Sequence, residues 1–251
     1  GSVFTIQPGS TCANPIVSST GTATYDVPAT GSCTVNYQVC SAITSGTPPE
    51  PCDQATLTVT ASASDMSAAL GASTPSVVSP GQIITGLTAT CSNIGTGAAT
   101  NASCTPSASA GTVSAVSCTP SSPQASLAAG ANIVCTYTYT APGTAGGANE
   151  PTTSVTFTAT TGATNDSVPG NNVATQATPV IDAVDDSAGQ PGGTTGATTL
   201  LGTNDQFPVG SVFTIQPGST CANPIVSSTG TATYDVPATG SCTVNYQVCS
   251  A

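Results

Sequence analysis

The 42 residues Gly1–Ala42 recur without a single change as Gly210–Ala251, an offset of 209 residues. Whatever the first stretch folds into, the second can fold into as well, so the chain reads as a repeat with a 209-residue period. The segment that follows the first copy, ending in the strand-like ATLTVTA of Ala55–Ala61, has no counterpart after the second. The segment Asp182–Val209, which precedes the second copy, has none before the first. One unit is therefore expected to run from a segment like Asp182–Val209 into a segment like Gly1–Ala61. On this reading residues 1–61 are the C-terminal two-thirds of one domain and 62–181 a complete second domain. Residues 182–251 are then the N-terminal part of the next copy of the first.

Within each unit the apolar residues alternate. Val35, Tyr37 and Val39 share one face of Cys33–Cys40, and Leu57 and Val59 one face of Ala55–Ala61. Cys135, Tyr137 and Tyr139 alternate with Thr136 and Thr138, and Val155 and Phe157 with Thr156 and Thr158. A period of two places such residues on one face of a strand, with the threonines facing water. Clusters of Gly, Pro, Asn and Ser separate the runs, and no window carries the i, i+3, i+4 pattern of a helix. The expected class is all-β, built of sandwiches.

Composition removes most chemistry. The chain has no Lys, no Arg and no His, against 11 Asp and Glu. It lacks an imidazole for general base catalysis, an amine for a Schiff base and a guanidinium to grip phosphate. Nucleic-acid binding needs cations to displace phosphate counterions, so no nucleic-acid partner is expected. No run of about 20 apolar residues is present, so no membrane insertion is expected of this segment. An enzyme is not expected.

The core must be thin, because large apolar side chains are scarce: 4 Phe, 6 Tyr, 1 Met and no Trp. Cysteines are expected to compensate. One period holds eight of them, Cys12, Cys33, Cys40, Cys52, Cys91, Cys104, Cys118 and Cys135, and Cys221, Cys242 and Cys249 repeat the first three. An even number per period, without His and without a CxxC spacing, reads as disulfides formed in an oxidising compartment rather than as zinc sites. The pairing preferred in the first unit is Cys12–Cys33 and Cys40–Cys52, the latter closing a Pro-rich loop between two antiparallel strands. In the second unit Cys91–Cys104 with Cys118–Cys135 competes with Cys91–Cys135 and Cys104–Cys118. Cys221 pairs with Cys242 by repetition, which leaves Cys249 without a partner.

The block PGQIITGLTATCSNIGTGAATNASC, followed by SLAAGANIVCTYTYTAP and NDSVPGNNVAT, resembles the Ig-like conserved-repeat domains of bacterial surface proteins. The order DAVDDSAG, LLGTNDQFP, GTATYDVPATGSCTVNYQVC, ATLTVTA is similar to the repeats of CshA-type fibrillar adhesins. The resemblance implies tandem Ig-like β-sandwiches, secreted and strung along a bacterial cell surface or extracellular filament. The expected function is that of a structural repeat unit of a stalk or fibre, an adhesin shaft. The alternative is an adhesive module that recognises a glycan or a host protein. The expected partners are neighbouring copies of the chain, head to tail, joined covalently or by strand complementation. No cofactor is required by the composition, but Asp182, Asp185 and Asp186, with Asn204 and Asp205, offer hard oxygen ligands for Ca²⁺ at the boundary between units; the competing reading is that DD and ND are turn residues capping a linker.

Overall fold

The computed structural model describes residues 1–28, 31–41, 51–144 and 153–250. The Pro-rich loop expected between Cys40 and Cys52 lies almost wholly outside the described residues. The chain is all-β. Among the described residues its strands are joined by turns and two single-turn 3-10 segments, Pro169–Asn171 and Leu201–Thr203. Among the described residues no helix is long and apolar enough to cross a membrane.

The first 61 residues carry β1 (Ser2–Ile6), β2 (Ala13–Val17), β3 (Ala23–Asp26), β4 (Ser32–Ser41) and β5 (Cys52–Thr60). They form a three-stranded sheet, β1-β4-β5, and a two-stranded one, β2-β3, all antiparallel. Cys12, Cys33 and Val35 are buried between them, with Ile6, Tyr25, Leu57 and Val59 packed around. The alternation in the sequence sets this face: Leu57 and Val59 turn inward while Thr56, Thr58 and Thr60 stay exposed.

The middle of the chain is an Ig-like sandwich. Its strands are β6 (Met66–Leu70), β7 (Ile83–Asn93), β8 (Ala99–Ala108), β9 (Thr112–Thr119), β10 (Gln124–Leu127), β11 (Asn132–Thr140), β12 (Ser154–Gly162) and β13 (Val173–Pro179). One sheet has the order β6-β7-β11-β9 and the other β10-β8-β12-β13. In β11 every second residue from Ile133 to Tyr139 is buried, and in β12 Val155, Phe157 and Ala159 are. These side chains meet between the sheets, with Tyr139 edge-on to Phe157 at 4.7 Å between ring centroids. The Tyr139 hydroxyl donates to the Ala110 carbonyl at 3.1 Å, which meets the polar requirement of that buried ring. Asn93 is fully buried, and its amide donates to the carbonyls of Gly97 and Leu127. It ties the turn between β7 and β8 to β10 without leaving an orphaned donor.

The last segment holds β14 (Ala197–Leu200), β15 (Val212–Ile215), β16 (Ala222–Val226), β17 (Thr231–Asp235) and β18 (Tyr246–Cys249). Its sheets are β14-β17-β16 and β15-β18. The two copies of the 42-residue sequence thus keep different neighbours. In the second copy β14 lies on β17, and Leu201 and Phe213 are buried, with Phe207 edge-on to Phe213 at 5.0 Å. In the first copy β5 lies on β4, and Val35 is sealed at 1% exposure.

Candidate functional site

The candidate site is the set of connections where one sandwich hands the chain to the next. Between β5 and β6 the chain has only five residues, Ala61–Asp65. Ala61 N–H donates back to the Gly31 carbonyl beside β4. From there the backbone is held by the central sandwich: the amides of Thr96 and Gly97 both donate to the Ala63 carbonyl at 2.9 Å, and Ile94 N–H to the Asp65 carbonyl at 2.8 Å. Ser64 is buried, donating to the Asn165 carbonyl and accepting at its own carbonyl from the Ser167 hydroxyl. Main chain can lie this close only where its neighbour lacks a side chain. A Cβ on Gly95 would meet the Ala63 carbonyl oxygen and the backbone of Ser64 and Asp65, and one on Gly97 would reach Ser62 at 3.0 Å.

The second connection is shorter still. β13 runs on through Val180, which forms a bridge with Val78, and Ile181 donates to the Val78 carbonyl at 2.8 Å. The next residue, Asp182, is buried and exchanges both backbone hydrogen bonds with Gln206, at 2.7 and 2.8 Å. Gln206 also reaches back, its side-chain amide donating to the Val180 carbonyl. A pair of hydrogen bonds on each side of a single peptide bond leaves no free hinge residue there.

Of the acids expected as calcium ligands, Asp186 and Asp205 sit against Tyr246, Asp182 is the connection itself, and Asp185 accepts from Asn204 through its backbone carbonyl. The Tyr246 hydroxyl lies 3.1 Å from Asp186 Oδ2, 3.1 and 3.2 Å from the two carboxylate oxygens of Asp205, and 3.1 Å from the Val184 carbonyl. Val184 N–H donates to Asp205 Oδ1 at 2.8 Å, and the Asn204 amide to the carbonyls of Val184 and Asp185. Burial raises the Asp205 carboxyl above its ordinary value of 3.8, the Val184 and Tyr246 hydrogen bonds pull it back, and the charges of Asp186 and Asp182 add to the rise. Burial also raises the Tyr246 phenol, helped by the same carboxylates of Asp205 and Asp186. Tyr246 therefore stays a neutral donor facing acceptors. No three Asp, Glu, Cys or His side chains among the described residues group closely enough to hold a metal ion. The arrangement is a tyrosine-centred clasp on the segment that follows Asp182, in which the single Tyr246 O–H is shared among Asp186, Asp205 and the Val184 carbonyl.

Disulfides brace each sandwich. Cys91–Cys104 crosses between the two sheets of the central sandwich, from β7 to β8. Cys118–Cys135 joins directly opposed residues of β9 and β11, and Cys40–Cys52 those of β4 and β5. Cys12–Cys33 ties the residue before β2 to β4, and Cys221–Cys242 ties the residue before β16 to the segment that leads into β18. Cys249 is an exposed thiol.

Sequence reasoning located the acids and the cysteines but missed Tyr246, Gly95, Gly97 and Gln206. The glycines stand in an ordinary turn string, SNIGTG, and only the approach of residues 62–65 gives them meaning. Alternation placed Tyr37, the counterpart of Tyr246, inward without indicating what its hydroxyl would meet.

No family model matches this chain, and no curated protein does. Among solved structures it is similar to the cadherin-like domains 1 to 4 of zebrafish RET, at 8% identity and a TM-score of 0.31, over 94% of this chain and 58% of that one. It is similar to the human desmocollin-1 ectodomain at 11% identity and a TM-score of 0.33, over 98% of this chain and 53% of that one. It is also similar to domains 1–6 of the surface layer protein SbsC at 15% identity and a TM-score of 0.35, over 100% of this chain and 32% of that one. This chain spans less than two-thirds of each. Superpositions this loose transfer nothing from those proteins to it.

Proposed function

We propose that this chain is a shaft segment of an extracellular stalk or fibre on a bacterial surface, a structural repeat that sets length and stiffness. The units are residues 1–61, 62–181 and 182–251, with 1–61 and 182–251 representing two successive copies of one sandwich. They follow one another head to tail. The observation that carries the proposal is the construction of the two connections. In the first connection Ala61 is hydrogen-bonded to one sandwich and Ala63 and Asp65 to the next, with Ser62 alone between them, and in the second Ile181 and Asp182 are hydrogen-bonded to opposite sides. Flexible linkers are free of such contacts and rich in Gly or Ser over longer stretches, so these connections favour a rod over a string of loosely tethered beads.

Two further features support this reading. Identical repeats suit a shaft, where position along the axis carries no information and each copy need contact only its neighbours. Disulfides within each sandwich suit an oxidising exterior and limit how far a module can lengthen under tension.

Imaging the native protein by negative-stain electron microscopy tests the proposal. A strand of seven to ten residues spans about 23–33 Å, so each 209-residue period should add two lobes and roughly twice that length. A compact particle, or lobes joined at random angles, would overturn it.

A further inference from the structure

The end of the central sandwich that receives residues 61–65 gathers four oxygen-bearing side chains. Asp65 closes the connection, and Asp166, Asn171 and Asn172 come from the segment between β12 and β13. The fold draws them together. Ser64 bridges Asp166, and Asp166 Oδ1 accepts from the amides of Met66 and Val168 at 3.3 and 3.2 Å. The Asn171 side-chain nitrogen donates to Asp65 Oδ1 at 2.9 Å. Asn172 follows directly, and its carbonyl accepts from the Thr161 amide at 2.8 Å.

Three oxygens of this group are left over. Asp166 Oδ2, Asn171 Oδ1 and Asn172 Oδ1 are closed off from solvent, and none has a hydrogen-bond donor. An acceptor buried in this way loses its hydration and gains nothing in return, and a carboxylate loses most. Turning the Asn171 amide over does not help, because its oxygen would then stand against Asp65 Oδ1. Nor can another side chain supply the missing positive charge, since the chain has no Lys, Arg or His. Whatever satisfies these oxygens comes from outside the chain.

We infer that Asp166, Asn171 and Asn172, with Asp65 beside them, form a calcium site that locks the first connection onto the central sandwich. Calcium takes roughly six to eight hard oxygens in irregular arrangements, and carboxylate and amide oxygens are the kinds it takes. Carboxylates alone are too few here, so the two amide oxygens extend the set, and Asn171 holds the Asp65 carboxylate within reach of it. A shell of such low charge suits the roughly 10⁻⁴–10⁻³ M affinities of extracellular modules. Magnesium suits it less, because it demands a near-regular octahedron and keeps several of its waters. The ion joins Asp65, the last residue of the connection, to the segment that follows β12. The site is separate from the acids around Tyr246. The inference rests on the shaft reading for its setting and deepens it by naming what stiffens the connection.

The test strips the whole oxidised chain of metal with chelator, then titrates it with calcium chloride by calorimetry and by thermal melts. Calcium should bind and raise the melting temperature in a saturable way, and magnesium at the same concentration should do far less. Asp166→Asn keeps the Oδ1 acceptor for Met66 and Val168 and sets an NH₂ donor where the orphaned oxygen stands. In chelator this variant should melt above the parent, and calcium should not move it. A carboxylate present only to hold the turn would give the reverse order in chelator. Asn172→Ala is the second variant. Its side-chain oxygen holds nothing in the fold, so the chain should keep its structure while calcium affinity falls at least about tenfold. Coincident melts of the parent in calcium and in chelator would overturn the inference. So would a calcium response that both variants retain. These readouts report ion binding alone, so they stand or fall separately from the imaging of a rod.

Discussion

Replacing Gly95 with alanine tests whether the connection at residues 61–65 is held as rigidly as its hydrogen bonds indicate. Gly95 has an ordinary backbone conformation, so the objection to a side chain is purely steric. The new Cβ would overlap the Ala63 carbonyl oxygen and stand 2.5 Å from Asp65 N and 2.8 Å from Ser64 C. All of these are backbone atoms, which cannot swing aside as a flexible side chain would. The segment 63–65 must move, and the three hydrogen bonds from Ile94, Thr96 and Gly97 are placed to break. At ~0.5–1.5 kcal/mol each, their loss costs roughly 2–4 kcal/mol. A glycine-to-alanine change at a tolerant position usually gains about 0.4–1 kcal/mol by stiffening the unfolded chain, so here the steric loss outweighs the gain. Gly170→Ala is the control, since a Cβ there meets nothing within 4 Å. Thermal melts should show Gly95→Ala lowered by several degrees and Gly170→Ala unchanged or slightly raised. Hydrogen exchange should show the amides of Ile94, Thr96 and Gly97 losing protection while those of β11 and β12 keep theirs. If Gly95→Ala melts and exchanges like Gly170→Ala, residues 61–65 are not anchored and the rod reading loses its basis.

The inter-sheet disulfide should be a main support of the central sandwich: with its ends 13 positions apart in sequence, the double variant Cys91→Ala/Cys104→Ala should lose about 3 kcal/mol in a denaturant titration, and a loss near zero would mean the thin core suffices alone. The Asp205 carboxyl is held above its ordinary 3.8, so its contribution is fully present below the unfolded value and is lost as pH rises through the folded one. Asp205→Asn should accordingly gain on the parent in melting temperature between pH 3 and pH 7, and a difference that stays flat or reverses would contradict the burial of that group. With Asp166 replaced by asparagine, melts in excess calcium and in excess chelator should coincide, because no three acidic side chains among the described residues stand close enough to share an ion; a calcium-dependent rise in that variant would identify Asp182, Asp185, Asp186, Asn204 and Asp205 as ligands.

Much of the fold was legible because strand patterning is local. The alternation Ile133, Cys135, Tyr137, Tyr139 marks a buried face whichever strand lies beside it, and the structure buries all four. The missing cations likewise limit chemistry in any fold. The candidate site was legible only in part. DAVDDSAG and GTNDQF announced an acidic junction, but the residue at its centre, Tyr246, lies 41 positions beyond Asp205 and meets it only through the fold.

What this sequence determines by itself is the period, the all-β class, the inward face of each strand and the supply of cysteines for bridges. What only the tertiary structure decides is which strand lies beside which. The repeated residues show it: β3 pairs with β2 in the first copy, and its counterpart β17 lies between β14 and β16 in the second. A helix satisfies its backbone within itself, whereas a strand's hydrogen bonds belong half to its neighbour. The carboxylates around Tyr246 and the close approach of residues 62–65 to Gly95 and Gly97 are therefore properties of an arrangement, and no local reading of those residues would have found them.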